Sequence, residues 1–64
     1  MGFKYKKLRE FRKLQGLTQQ QLADEIGVHR NSIINYEKGR YEPRGYHNFR
    51  ICIALDIEFS DLYD

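Results

Sequence analysis

A glycine at position 27 constrains the fold of this chain more than any other residue. Leu22 and Ile26 share one face of a helix, Gly27 interrupts that helix early, and a new apolar set at Val28, Ile33 and Tyr36 begins immediately afterwards. That pattern forces two short helices joined by a tight turn. Upstream, Thr18 can cap the first of them through its hydroxyl, and Gln21, at the third helical position, completes a capping box. The second is expected to run from about His29 to Lys38. Gly39 ends it by supplying the left-handed residue that carries no side-chain penalty there.

The flanking segments also read as helical. Tyr5, Leu8, Phe11 and Leu14 recur every three residues, which predicts a helix over residues 4–15 ended by Gly16. Arg40 to Tyr46 is a loop marked by Pro43. A fourth helix is expected from about Tyr46 to Leu55, with Phe49, Cys52, Ile53 and Leu55 on its inner side and Asp56 breaking it. Phe59 to Leu62 reads as a last single turn, with Ser60 as cap and Asp61 well placed for the helix dipole. No segment alternates with a period of two, so no strand is expected. The fold class is all-α, four to five helices in a single domain over residues 1–64. A chain of 64 residues and 7.7 kDa buries only ~60% of its unfolded surface and leaves no room for a deep catalytic pocket.

Composition narrows the function. With 41% hydrophobic and 31% charged residues the chain is globular, and no apolar run approaches the ~18 residues of a membrane span. A soluble, cytoplasmic protein is expected, and Cys52 as the only cysteine suits a reducing compartment. His29, His47 and Cys52 lack the spacing of a zinc site, and no nucleophile motif or phosphate-binding glycine loop occurs. Neither an enzyme nor a metal or cofactor is expected. Net charge is +2, but residues 1–14 hold six Lys or Arg against Glu10, whereas residues 51–64 hold Asp56, Glu58, Asp61 and Asp64 with no base. A molecule with a positive and a negative end is the expectation, suited to meeting a polyanion on one side.

The stretches Leu8-Arg9-Glu10-Phe11-Arg12, Gly16-Leu17-Thr18-Gln19, Leu22-Ala23, Ile26-Gly27-Val28, Ser32-Ile33, Tyr36-Glu37-Lys38-Gly39 and Pro43, with Ala54-Leu55 and Leu62, cover nearly the whole chain. Together they resemble the Xre family of phage repressor and Cro-like helix-turn-helix proteins. The resemblance places the family's twenty-residue motif at Gln19–Lys38, with Ala23 small where the two helices cross. It implies a lambda-repressor-like domain that binds specific double-stranded DNA as a small transcriptional regulator, a repressor acting as a homodimer on an inverted repeat. It also implies an ion pair between Arg12 and Glu37 that ties the first helix to the end of the third. The departures are His29, where the family caps with Ser or Thr, and Gly45 and Asn48, where it prefers Leu; the fourth helix is therefore expected to start late or pack differently. The chain stops where the family's DNA-binding domain stops, so no small-molecule ligand is expected.

An α-helix fits the major groove, and the residues near its N-terminus reach furthest. Arg30 and Asn31, and one turn on Asn35, are the candidate base readers, since Arg can donate twice to guanine and Asn can donate to and accept from adenine. Asn35 could bind phosphate instead. Ile34 could meet a thymine methyl or be a tolerated surface residue. For phosphate contacts the candidates are Gln19, to which the resemblance gives a positioning role, with His29, Lys38, Arg40, Arg44 and the hydroxyl of Tyr41. Leu55, Ile57, Phe59, Leu62 and Tyr63 either form a dimer surface or close the monomer's own core. The alternative reading is a protein-interaction module, an antitoxin or antirepressor partner, on the same fold.

Overall fold

The computed structural model describes residues 2–64, which form five helices: α1 (Tyr5–Leu14), α2 (Gln19–Ile26), α3 (Arg30–Glu37), α4 (Gly45–Leu55) and α5 (Phe59–Leu62). The breaks lie where local chemistry puts them. Thr18 accepts the Gln21 N–H at 3.0 Å, and the Gln21 side chain accepts the Thr18 N–H at 2.9 Å, so the capping box closes in both directions. Gly27 (φ 75°) then takes the left-handed conformation that ends α2 and turns the chain into α3.

Helix α2 packs against both α3 and α4, while α1 packs against α3 and α5. Leu8, Leu22, Ala23, Ile26, Ile33, Tyr36, Ile51, Leu55 and Leu62 make the core, and Ala23 is fully buried where its small side chain lets α2 and α3 approach. Leu14, by contrast, is 79% exposed. A three-residue recurrence drifts around a 3.6-residue helix, and by Leu14 it has moved about 120° from Leu8, off the packed face. The buried partner of Leu8 on α1 is Arg12.

Helix α4 starts one residue earlier than expected, at Gly45, and its rotation differs from the sequence reading. Asn48, Ile51 and Leu55 face inward, whereas Phe49 (63% exposed) and Ile53 (62%) point out and Cys52 is half-buried. The cause is a polar anchor. The amide of Asn48 donates to the Pro43 carbonyl at 2.8 Å and pairs with the Tyr63 hydroxyl at 3.0 and 3.2 Å. A buried polar group is tolerated when its hydrogen bonds are made, and here they turn a polar residue inward and two apolar ones outward. Arg50 adds a second tie, donating to the Glu25 carbonyl at the end of α2 at 2.6 Å.

At α5 the N-cap is Glu58 rather than Ser60, which lies inside the turn; the Glu58 N–H donates to the Asp61 carboxylate at 2.9 Å. The two ends of the described chain meet. Phe3 and Tyr63 form an isolated antiparallel bridge, the Lys4 N–H donates to the Leu62 carbonyl at 2.6 Å, and Lys4 pairs with Asp64 at 3.4 Å. Basic start and acidic finish are therefore neighbours, so the charge segregation along the chain does not become two opposite ends of the molecule.

Candidate nucleic-acid interface

Helix α3 buries Ile33 and Tyr36 against the core. At 3.6 residues per turn, Arg30, Asn31, Ile34, Asn35 and Lys38 then share an outward arc about 140° wide. Arg30 and Asn31, the first two helical residues, are exposed, while Ile34 and Asn35 are half-buried. His29 replaces the hydroxyl cap with an imidazole: its Nδ1 accepts the Asn31 N–H at 3.2 Å. A ring that accepts at Nδ1 in its neutral form carries its hydrogen on Nε2.

Two elements, α1 and the start of α2, hold α3 at its other end. The Arg12 guanidinium grips the Glu37 carboxylate with two bonds, Nε at 2.6 Å and Nη2 at 3.2 Å, and its Nη1 donates to the Leu17 carbonyl at 2.8 Å. Gln19, first residue of α2, donates to the same carboxylate at 3.1 Å. The pair is almost dry, with side-chain exposures of 8% for Arg12 and 4% for Glu37. α1, the start of α2 and the end of α3 thus converge on one carboxylate.

Beyond Glu37 the chain leaves α3 through a paired turn. Gly39 (φ 73°) donates to the Tyr36 carbonyl and Arg40 to the Asn35 carbonyl, both at 3.1 Å, which satisfies two carbonyls at the helix end. The Asn35 side chain joins this turn as well: its amide nitrogen donates to the Asn31 carbonyl (2.9 Å) and the Tyr41 hydroxyl (3.2 Å), and its oxygen accepts from Arg40 Nη1 (3.0 Å). Tyr41 meets Tyr36 edge-on at 5.5 Å. Burial, followed by the neighbouring Tyr41, pushes the Tyr36 phenol up, so it remains neutral. The fold therefore gathers Gln19, His29, Arg30, Asn31, Ile34, Asn35, Lys38, Arg40 and Tyr41 on and around α3. Arg44 is exposed at the N-cap of α4.

The five candidates for a dimer surface divide. Leu55 and Leu62 are fully buried in the core and are not available as surface, because α4 and α5 close over the same cluster. Ile57 and Tyr63 are half-buried against that core. Phe59 alone projects, 57% exposed and stacked on Tyr63 at 4.3 Å. The sequence reading missed Phe49 and Ile53, whose size and apolarity suggest the inner side of α4. Phe49, Cys52 and Phe59 line one shallow apolar hollow with Gly45 and Asn48. The Cys52 thiol there is pushed up by burial and then by Asp61, so it stays a neutral, small apolar group. Among the described residues no cluster of His, Cys, Asp or Glu could hold a metal, and no helix is long and apolar enough to cross a membrane.

A helix-turn-helix family model matches residues 8–62. A helix-turn-helix-type transcriptional regulator of Methanothermobacter thermautotrophicus, itself uncharacterised, is 51% identical over 51 residues, 80% of this chain and 74% of the relative. A similar regulator of Methanocaldococcus jannaschii is 39% identical over 57 residues, 89% of this chain and 86% of its own length. The restriction-modification controller protein C.AhdI from Aeromonas hydrophila superimposes with a TM-score of 0.84 at 32% identity, covering 92% of this chain and 89% of that one. The P22 c2 repressor, crystallised with a synthetic operator, gives 0.89 over 98% of this chain and 97% of its own. At 23% identity it supports the likeness of fold alone.

Proposed function

Because the chain belongs to the Xre-type helix-turn-helix family of DNA-binding transcriptional regulators, not enzymes, we propose that it reads a specific duplex sequence with α3. In this reading it acts as a homodimeric repressor on an inverted-repeat operator. The observation that carries this is the exposure of Arg30 and Asn31 at the start of a helix whose far end is clamped by the Arg12–Glu37–Gln19 cluster. A reading helix must present its first turn while its own position is fixed. Arg30 and Asn31 contact base edges, Ile34 takes a thymine methyl, and Gln19, His29, Lys38, Arg40, Tyr41 and Arg44 contact phosphate.

Selection from a randomised duplex pool at physiological salt tests this. The wild-type protein is expected to enrich an inverted repeat. Arg30→Ala and Asn31→Ala should each relax one position per half-site at a cost of about 1–3 kcal/mol. A pool from which the wild type enriches nothing overturns the reading and favours a protein partner on the same fold.

One helix spans too few base pairs for useful specificity, so two copies about one helical turn (~34 Å) apart are needed. The surface for the second copy is the outward face of α4 and α5 formed by Phe49, Ile53 and Phe59, large apolar side chains that the monomer leaves in water. Light scattering on Phe49→Asp and Phe59→Asp should report folded monomers, since neither residue belongs to the core. Folded dimers at the same concentration would rule this surface out.

A further inference from the structure

The side chain of Asn35 has little capacity left for a base. Recognition of adenine by Asn needs one N–H donor and the carbonyl acceptor at once. Both N–H groups of Asn35 are engaged, one on the Asn31 carbonyl and one on the Tyr41 hydroxyl, and its oxygen accepts from Arg40. The orientation of the amide is not arbitrary, because Arg carries only donors and must face the oxygen. Arg40 is also held by its main chain, whose N–H donates to the Asn35 carbonyl.

We propose that Asn35 is a positioning residue: it reads no base but fixes Arg40 and Tyr41 at the far end of α3, where both meet the phosphate backbone. This rests on the DNA-reading role of α3 proposed above. The bonding leaves the right groups free. Arg40 uses one of five guanidinium donors on Asn35. Tyr41 accepts from Asn35, so its own hydroxyl hydrogen remains available to a phosphate oxygen. Without that hold the exposed Arg spreads over many rotamers, most of which leave its guanidinium out of reach of the backbone, so the phosphate contact itself is lost with Asn35. The Gly39 turn and the Asn35 amide thus act as one device that aims two side chains.

The test measures affinity for the enriched duplex over a salt series with the wild type, Asn35→Ala, Arg40→Ala and the double variant. Removing one cation from the phosphate backbone should flatten the dependence of log K on log salt by about 0.9. Asn35→Ala is expected to reproduce most of the flattening of Arg40→Ala, the double variant to equal Arg40→Ala alone, and a pool selected with Asn35→Ala to return the wild-type consensus. Alanine favours the helix, so the variant should fold. A changed consensus at one position with an unchanged slope would make Asn35 a base reader and overturn the proposal. So would slopes that add in the double variant, or an Asn35→Ala protein indistinguishable from wild type. Failure of the broader DNA-reading role shows instead in the wild type, as no enrichment, and sinks both.

Discussion

Glu37→Ala should cost about 3–5 kcal/mol of folding stability, the penalty for leaving one member of a buried ion pair without its partner. A domain of 64 residues has roughly 3–10 kcal/mol in total. The variant is therefore expected to be largely unfolded at 37 °C in a thermal melt followed by circular dichroism. The reason lies in the exposures of the pair: with the carboxylate removed, the Arg12 guanidinium stays in a site only 8% open to water, and Gln19 loses its anchor as well. Removing both charges is a different experiment. Arg12→Met with Glu37→Leu should restore most of the stability, because apolar replacements of a buried pair are often neutral. Some loss should persist, since the Leu17 carbonyl forfeits its donor. A single Glu37→Ala variant that melts like wild type would mean the cluster is open to water in solution.

The second large effect belongs to Gly39. Its left-handed backbone costs a residue with a side chain about 1–2 kcal/mol. Its neighbour adds more. A Cβ at this position would lie 2.8–2.9 Å from the ring atoms of Tyr5, which packs across the turn between α3 and the loop. Forced repacking of that kind costs about 1–3 kcal/mol further. Gly16 and Gly27 have the same backbone conformation, at φ 72° and 75°, but nothing within 4 Å of a Cβ. Gly39→Ala should thus destabilise clearly more than Gly16→Ala or Gly27→Ala in parallel urea titrations with unchanged m-values. Equal losses at all three would show that the Tyr5 ring swings aside freely. The same substitution moves Arg40, whose main chain leaves the helix through this glycine, so DNA binding should weaken in the fraction that remains folded.

These two sites illustrate different degrees of legibility. Gly39 as a helix end is readable from its place after Tyr36, but the Tyr5 ring against it is not, because the two residues belong to opposite ends of the α1–α3 segment and meet only once those helices pack. The Arg12–Glu37 pair came from the family resemblance and not from spacing; no local rule relates two residues in different helices. On α4 the sequence reading follows the large apolar residues: Leu55 is buried as expected and Cys52 partly so, but Phe49 and Ile53 lie on the exposed side. Phe49 and Ile53 look like core in isolation, and Asn48 looks like surface, until Pro43 and Tyr63 supply the bonds that make its burial acceptable.

What the sequence determined by itself is the set of events decided within a few residues of one another. The Thr18–Gln21 box, the left-handed glycines at 27 and 39, and the apolar spacing of Leu22, Ile26, Ile33 and Tyr36 placed α2, the turn and α3, with boundaries correct to about a residue. Capping and backbone strain act over one turn, so neighbours in sequence suffice. The tertiary structure alone decided the rotation of α4, the removal of Leu55 and Leu62 from any interface, the meeting of the basic start with the acidic end, and the engagement of the Asn35 amide. The first three depend on which distant groups arrive to share burial. For Asn35 the partners lie four to six residues away, but only the path set by Gly39 and the packing of Tyr41 on Tyr36 turns the loop back onto the helix. A hydrogen bond is decided by where both partners end up, and spacing along one helix does not carry that information.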